Sequence, residues 1–149
     1  MQSSRLLAVS LPLSLVLALG CAGDGTGPNG NGNGNGTPTL SGNVQPIFTA
    51  SCAFGGCHGS TNTEPSEKPQ NLTAGNAWAS IVNVSSSQVP TMDRVEPGDP
   101  DNSYLVHKIE GTAAGVGGMD TRMPLGMPVL STTQINTIRA WITAGALNN

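Results

Sequence analysis

After Arg5, positions 6–19 are apolar except for Ser10, Pro12 and Ser14. A basic residue followed by a short apolar run reads as an export signal, too short for a comfortable membrane span, which needs roughly 20 apolar residues. The apolar pattern then vanishes. From Ala22-Gly23-Asp24-Gly25-Thr26-Gly27-Pro28, through an Asn29-Gly30 repeat to Gly36 and Thr37-Pro38-Thr39, no apolar residue is larger than alanine. Such a stretch cannot bury enough surface to offset its chain entropy, and it predicts a flexible coil with an r.m.s. span of roughly 20 to 25 Å. Residues 1–20 therefore read as signal, 21–39 as linker and 40–149 as one folded domain, which is all the length allows.

Within 40–149, four segments repeat apolar positions at the helical period. Val44, Ile47, Phe48 and Ser51 share one side of a helix at about 100° per residue, with Ser41 or Asn43 as N-cap. Pro46 falls in its first turn, where the leading N–H groups have no intrahelical partner in any case. A second helix is predicted over 72–84, capped by Thr73, with Trp78, Ile81 and Val82 on one face; Pro90 bounds the segment after it. Asp99-Pro100 reads as an N-cap followed by proline at the first helical position, opening a third helix that runs through Ile109 and stops at Gly111. Its face is Leu105, Val106 and Ile109.

The last helix is the best specified. Ser131-Thr132-Thr133-Gln134 forms a capping box and Gly145 a C-terminal stop. Ile135, Ile138, Trp141 and Ile142 share one side, opposite Asn136, Arg139 and Thr143. That apolar side needs a partner, and the first helix, through Phe48, is the expected one. No alternating stretch is long enough to argue for a sheet, so the fold class is all-α.

Composition adds a constraint on the core. The chain holds two Trp, one Tyr and two Phe, a thin supply of large apolar side chains for a domain whose size already limits its buried fraction. Something besides side chains is expected to fill the interior. Six Lys+Arg against nine Asp+Glu give a net charge of −3; the basic residues are scattered singly, which leaves no footprint for nucleic acid. Asp93, Asp99 and Asp101 are not a paired-carboxylate site, because Asp99 serves as a cap and no histidine stands beside them. No nucleophile triad and no phosphate-cradling loop is present, so the sequence argues against an enzyme.

The three cysteines carry the chemistry. Ala18-Leu19-Gly20-Cys21 resembles the lipobox of bacterial lipoproteins, in which the cysteine becomes a lipidated N-terminus and its acyl chains anchor the protein to a membrane. The alternative is ordinary secretory cleavage nearby, leaving Cys21 a free thiol. The other two lie in Ser51-Cys52-Ala53-Phe54-Gly55-Gly56-Cys57-His58-Gly59. Cys-x-x-Cys-His marks c-type haem attachment, where two thiols add to the haem vinyl groups and the adjacent histidine supplies an iron ligand. Here four residues separate the thiols, and Gly55 and Gly56, which tolerate positive φ, let the extra residues bulge without strain.

Val44-Gln45-Pro46-Ile47-Phe48 before Cys52, then Cys57-His58-Gly59, then Pro97-Gly98-Asp99-Pro100 with Ser103-Tyr104-Leu105, resembles the small single-haem cytochrome c domains of bacterial lipoproteins. Arg122-Met123-Pro124-Leu125-Gly126, Leu130-Ser131 and Ile138-Arg139-Ala140-Trp141-Ile142 with Gly145-Ala146 are similar to the Met-Pro loop and closing helix of that family. The similarity spans nearly all of 43–146. It implies a class I cytochrome c fold, with crossed N- and C-terminal helices and one covalent haem c filling the core. Cys52 and Cys57 are then the attachment thiols, with His58 the proximal iron ligand.

For the sixth ligand the candidates are Met119, Met123, Met127 and His107. Met123 is preferred: Pro124 biases it away from helical geometry, and it matches the family's Met-Pro position. Met127, before Pro128, has the same local argument. His107 points away from Leu105 and Ile109 on the third helix and reads as an exposed side chain, and any of the methionines can equally be a gap-filler in the core. Trp78 and Trp141 read as core residues before they read as porphyrin neighbours.

Two other classes compete. Cys52, Cys57, His58 and His107 could form a zinc site, although consecutive Cys57 and His58 make tetrahedral closure awkward. Alternatively, Cys52 and Cys57 could form a tight disulfide in a haem-free lipoprotein serving adhesion or assembly. The favoured expectation is an exported monohaem cytochrome, lipid-anchored through Cys21 at the periplasm or cell surface, passing single electrons between redox partner proteins.

Overall fold

The computed structural model describes residues 36–59 and 70–149. The export signal, Cys21 and most of the Gly/Asn linker lie outside the described residues. Among those described, the chain is helical and forms no strand; its only β pairing is isolated bridges such as Val82 with Val95. The class is therefore all-α.

The first helical segment starts earlier than its apolar pattern suggests. Burial of Leu40 along with Val44 brings the winding forward into a wide π-helical turn, Leu40–Val44, which feeds directly into α1, Gln45–Ser51. The cap is accordingly Thr39, not Ser41 or Asn43: Thr39 Oγ1 accepts from Gly42 N at 3.1 Å, and Asn43 Oδ1 reaches back to accept from Thr39 N at 2.9 Å. Pro46 sits in the first turn of α1, where its missing N–H is tolerated.

The second predicted helix shrinks to α2, Ala77–Ile81, with Asn76 rather than Thr73 at its N-cap. Val82 turns extended and Asn83 adopts φ +54°. β-branched Val82 and Val84 favour extended backbone, and here that backbone is used: Asn83 N donates to Val95 O at 3.1 Å and Arg94 N to Val84 O at 2.7 Å. Pairing with residues 93–95 wins over continuation of the helix.

The third helix also starts late. Asp99 Oδ1 accepts from Asn102 N at 3.2 Å and closes a separate turn; α3, Tyr104–Glu110, begins only after Ser103. Its leading N–H groups find tertiary partners instead of a side-chain cap, Tyr104 N on Asp93 O and Leu105 N on Arg94 O, each at 2.9 Å. It ends as predicted at Gly111, in the left-handed region at φ +79°. After a 3-10 turn, Ala113–Val116, and a long loop comes α4, Thr132–Thr143, with both bonds of the Ser131–Gln134 capping box made.

α4 packs on α3 and on the opening turn Leu40–Val44. The expected contact with the first helical segment is thus made chiefly one turn earlier than α1, with Phe48 in the same buried core as Ile138, Trp141 and Ile142. The C-terminal tail closes this core. Trp141 Nε1 donates to Leu147 O at 2.9 Å, Trp78 Nε1 to Ala146 O at 2.7 Å, and Ser41 N to Asn149 O at 2.8 Å. Both indoles therefore serve the core and the tail. On the outside, Arg139 of α4 pairs with Glu110 at 3.1 Å and with Asp101.

Trp141→Ala removes a fully buried ring and a tail anchor together, and should cost about 3–5 kcal/mol. Ser131→Ala removes only a cap bond and should cost about 1 kcal/mol. Urea unfolding followed by circular dichroism measures both, and equal losses would contradict the placement of Trp141 in the core.

Candidate functional site

At the end of α1, Cys52 N and Ala53 N both donate to Phe48 O at 2.8 Å, so the chain tightens before leaving the helix. The loop then folds back on Phe54, whose carbonyl accepts from Cys57 N at 3.1 Å and Gly59 N at 2.9 Å. Gly56 has φ +81°, the bulge that the widened cysteine spacing needs, and a Cβ on Gly59 would stand 2.7 Å from Phe54 O. Glycine is required at both points for different reasons, one conformational and one steric. The result is local recursion: His58 N donates to Cys52 O at 3.2 Å, so the histidine returns to the cysteine that opened the loop.

Cys52 and His58 line a small, partly open cleft of about 140 Å³. Met123 lines the same cleft. Its loop is fastened to the end of α3, where the last helical carbonyls lack intrahelical donors: Met123 N donates to Lys108 O and Arg122 Nε to Ile109 O, each at 2.8 Å. The Met123–Pro124 peptide is cis.

The cleft has an apolar side and a polar side. Leu72, Leu105 and Ile109 supply the first, and Ser86, Ser87, Gln88, Arg94, Tyr104 and Lys108 the second. Tyr104 Oη donates to Gln88 Oε1, which also accepts from Met119 N at 3.2 Å, while Lys108 Nζ donates to Met119 O at 3.3 Å. Burial lowers Arg94 and Lys108 from their ordinary values, with Asp120 acting the other way on Lys108, and burial raises Tyr104.

The remaining candidates lie elsewhere. Met119 and Met127 are 61% and 41% exposed and do not line the cleft. His107 is held on the outer side of α3, with Nδ1 2.8 Å from Thr112 Oγ1 and Nε2 3.0 Å from Asp101 O. It is not brought to Cys52, Cys57 and His58, and among the described residues no three His, Cys, Asp or Glu side chains converge as a metal-holding group. Cys52 and Cys57 are both free thiols, the first buried and the second exposed. Burial, reinforced by the nearby Cys57, pushes the Cys52 thiol up to about 11.

Sequence reasoning missed the polar side. Arg94 and Gln88 stand alone in loops and carry no local signal. Tyr104 and Lys108 did have one: at i, i+4 they share a face of α3, next to the apolar pair Leu105 and Ile109.

Comparison with known proteins gives no match: no family model, no curated protein and no solved structure is similar to this chain. Among the described residues no helix is long and apolar enough to cross a membrane.

The two thiols of the unmodified, reduced full-length chain should differ in reactivity. The thiolate is the nucleophile, and with a value of about 11 Cys52 is ionised to only about one part in a thousand at pH 8. Iodoacetamide followed by peptide mass analysis should label exposed Cys57 first and leave Cys52 largely intact; equal labelling rates would show that Cys52 is not shielded.

Proposed function

We propose that the chain is an exported, lipid-anchored monohaem cytochrome c that carries single electrons between redox partner proteins, a carrier and not an enzyme. One observation supports this above the others: Met123, distant in sequence from the Cys52–His58 loop, lines the same cleft as Cys52 and His58, and no other described methionine joins them there. The donor set suits the group. Thiols, an imidazole and a thioether are the side chains that attach and ligate haem iron in electron-transfer cytochromes.

The haem, when bound, supplies a one-electron ferric/ferrous couple. The rest is the work of this chain's residues. Cys52 and Cys57 would hold the group through thioethers, each thiol giving its sulfur to one vinyl carbon and its hydrogen to the other, with no oxidant needed. His58, next to Cys57, is placed for the metal by that attachment, so ligation orders little further chain. Met123 is brought to the site by two hydrogen bonds onto the end of α3. Leu72, Leu105 and Ile109 exclude water from one side of the cleft, and a dry site with His/Met ligation favours a raised potential.

In this reading the fold belongs with the class I cytochromes c, and Cys21 holds the domain at a bacterial membrane through the Gly/Asn linker. The diffuse acidic balance of the sequence suits basic partner proteins without locating a docking patch.

Full-length protein from a host that matures c-type cytochromes should retain its visible absorbance after acid-acetone extraction and weigh one haem more than its polypeptide and lipid. A colourless chain of polypeptide and lipid mass would overturn the proposal. Met123→Ala should abolish the weak near-infrared band of Met-to-ferric-iron ligation; an unchanged band transfers the role to Met127. His107→Ala should leave the visible spectrum alone, consistent with its bonds to Thr112 and Asp101.

A further inference from the structure

We infer that the exposed loop 125–129 is a lipid-contact surface, which lays Leu125, Met127 and Val129 on the bilayer that holds the acyl chains of Cys21; the inference rests on the lipid-anchored reading proposed above and not on the haem.

Residues 125–129, Leu-Gly-Met-Pro-Val, are exposed in an unbroken run, with Leu125 65%, Met127 41% and Val129 58% exposed. Consecutive apolar residues left in water are a liability unless they have a use. The run is also held firmly. Pro124 before it and Leu130 after it are buried, Leu130 in the main core, and the chain just upstream is tied to α3 through Met123 N and Arg122 Nε. The fold therefore presents these side chains on a loop fastened at both ends. From 123 to 138 no residue is charged, so nothing on this stretch carries the cost of bringing an ion to hydrocarbon.

The position of the tether selects the occupant. Gly36, Thr37 and Pro38 share a shallow surface groove with Thr133, Asn136 and Thr137 of α4, and the chain is pinned immediately afterwards by the Thr39 cap and buried Leu40. The segment leading back to Cys21 thus leaves the domain beside the start of α4. Val129 is four residues before Thr133, at most about 14 Å of chain, so the loop and the root of the tether lie at the same end of α4. The composition of residues 22–35 predicts a span of roughly 20 Å, shorter than a domain of this size, which is roughly 35 Å across. A tether of that length keeps the face that carries Gly36 toward the bilayer, with the apolar loop beside it.

The side chains suit lipid better than protein. Protein interfaces concentrate binding energy in Trp, Tyr and Arg, none of which occurs in 123–138. Leu, Met and Val offer non-directional apolar area instead. Three such side chains bind lipid weakly by themselves, but the acyl anchor makes their contact intramolecular and raises their effective concentration at the surface. Leu125 is two residues from Met123, at most about 7 Å of chain, so the contact brings the Met123 wall of the cleft to the bilayer.

Full-length wild type, its Leu125→Asp/Val129→Asp variant and Cys21→Ser are compared by hydroxyl-radical footprinting of Met127, read by peptide mass. The first two are tethered to phosphatidylcholine vesicles, the third is in vesicle-free buffer, and the radical dose is matched with a soluble methionine peptide. A loop in lipid for about four-fifths of the time is labelled about fivefold more slowly. Wild-type Met127 on vesicles should therefore be oxidised about fivefold more slowly than in C21S, and the Asp variant on vesicles should return to within about twofold of C21S. Both substituted side chains are exposed, so the variant should keep the wild-type circular dichroism; if it does not fold, wild type against C21S still decides the question. Lipidated wild type labelled as fast as C21S, or equal protection in the folded Asp variant, would overturn the lipid contact and leave the anchored reading intact. Slow labelling of C21S that depends on protein concentration would assign the loop to a second copy, and protection found in native membranes but not on pure lipid would assign it to a membrane protein; either result overturns the inference. Wild type whose mass shows no lipid would overturn the anchored reading, and the inference with it.

Discussion

The domain depends on closure of its C-terminal tail over the seam between α4 and the opening turn Leu40–Val44. Ile138, Trp141 and Ile142 are buried there with Leu40, Val44 and Phe48, and the tail returns along the indole N–H groups of Trp141 and Trp78 to end on Leu40 and Ser41. A chain with so few aromatic residues places its two largest where each does two jobs, filling apolar space and supplying a directed donor. Because this seam joins the two ends of the domain, the described residues between them form a loop-rich excursion from one anchored core.

That excursion is what makes a cleft. A second, smaller buried cluster of Val89, Tyr104 and Ala113 forms apart from the main core, and α3 contributes to both: Tyr104 to the small cluster, Leu105, Val106 and Ile109 to the large one. The cleft is lined from both, by Tyr104 on one side of α3 and by Leu105 and Ile109 on the other. α3 is short, and its exposed backbone ends are used as connectors. Its first N–H groups bind the carbonyls of Asp93 and Arg94, and its last carbonyls bind Arg122 and Met123. One helix thereby sets the positions of a buried cation and a thioether that local sequence does not relate.

The widened cysteine motif is accommodated by the same economy of backbone. The turn on Phe54 absorbs the additional residues through Gly56 and Gly59, and His58 N returns to Cys52 O. A spacing that looks unfavourable as a linear pattern returns the histidine backbone to that of the first cysteine, because the extra residues form a closed turn instead of extending the loop.

The sequence by itself determined the elements whose signals are local: the capping box at Ser131, the stop at Gly111, Pro46 in a first turn, the helical class, and the cysteine-histidine loop with its glycine bulge. Capping, proline sterics and left-handed glycine depend on neighbours a few residues away, so they are legible without a fold. It misplaced the bounds of three helices, because Leu40 burial, the Val82–Val95 bridge and the Asp99–Asn102 turn compete with helical periodicity through partners that periodicity does not register. Only the tertiary structure decided which methionine joins Cys52 and His58, separated His107 from them, and brought Arg94 and Lys108 to the same space. Those outcomes depend on hydrogen bonds from the 93–95 and 122–123 segments to α3, and contacts between distant segments leave no pattern along the chain.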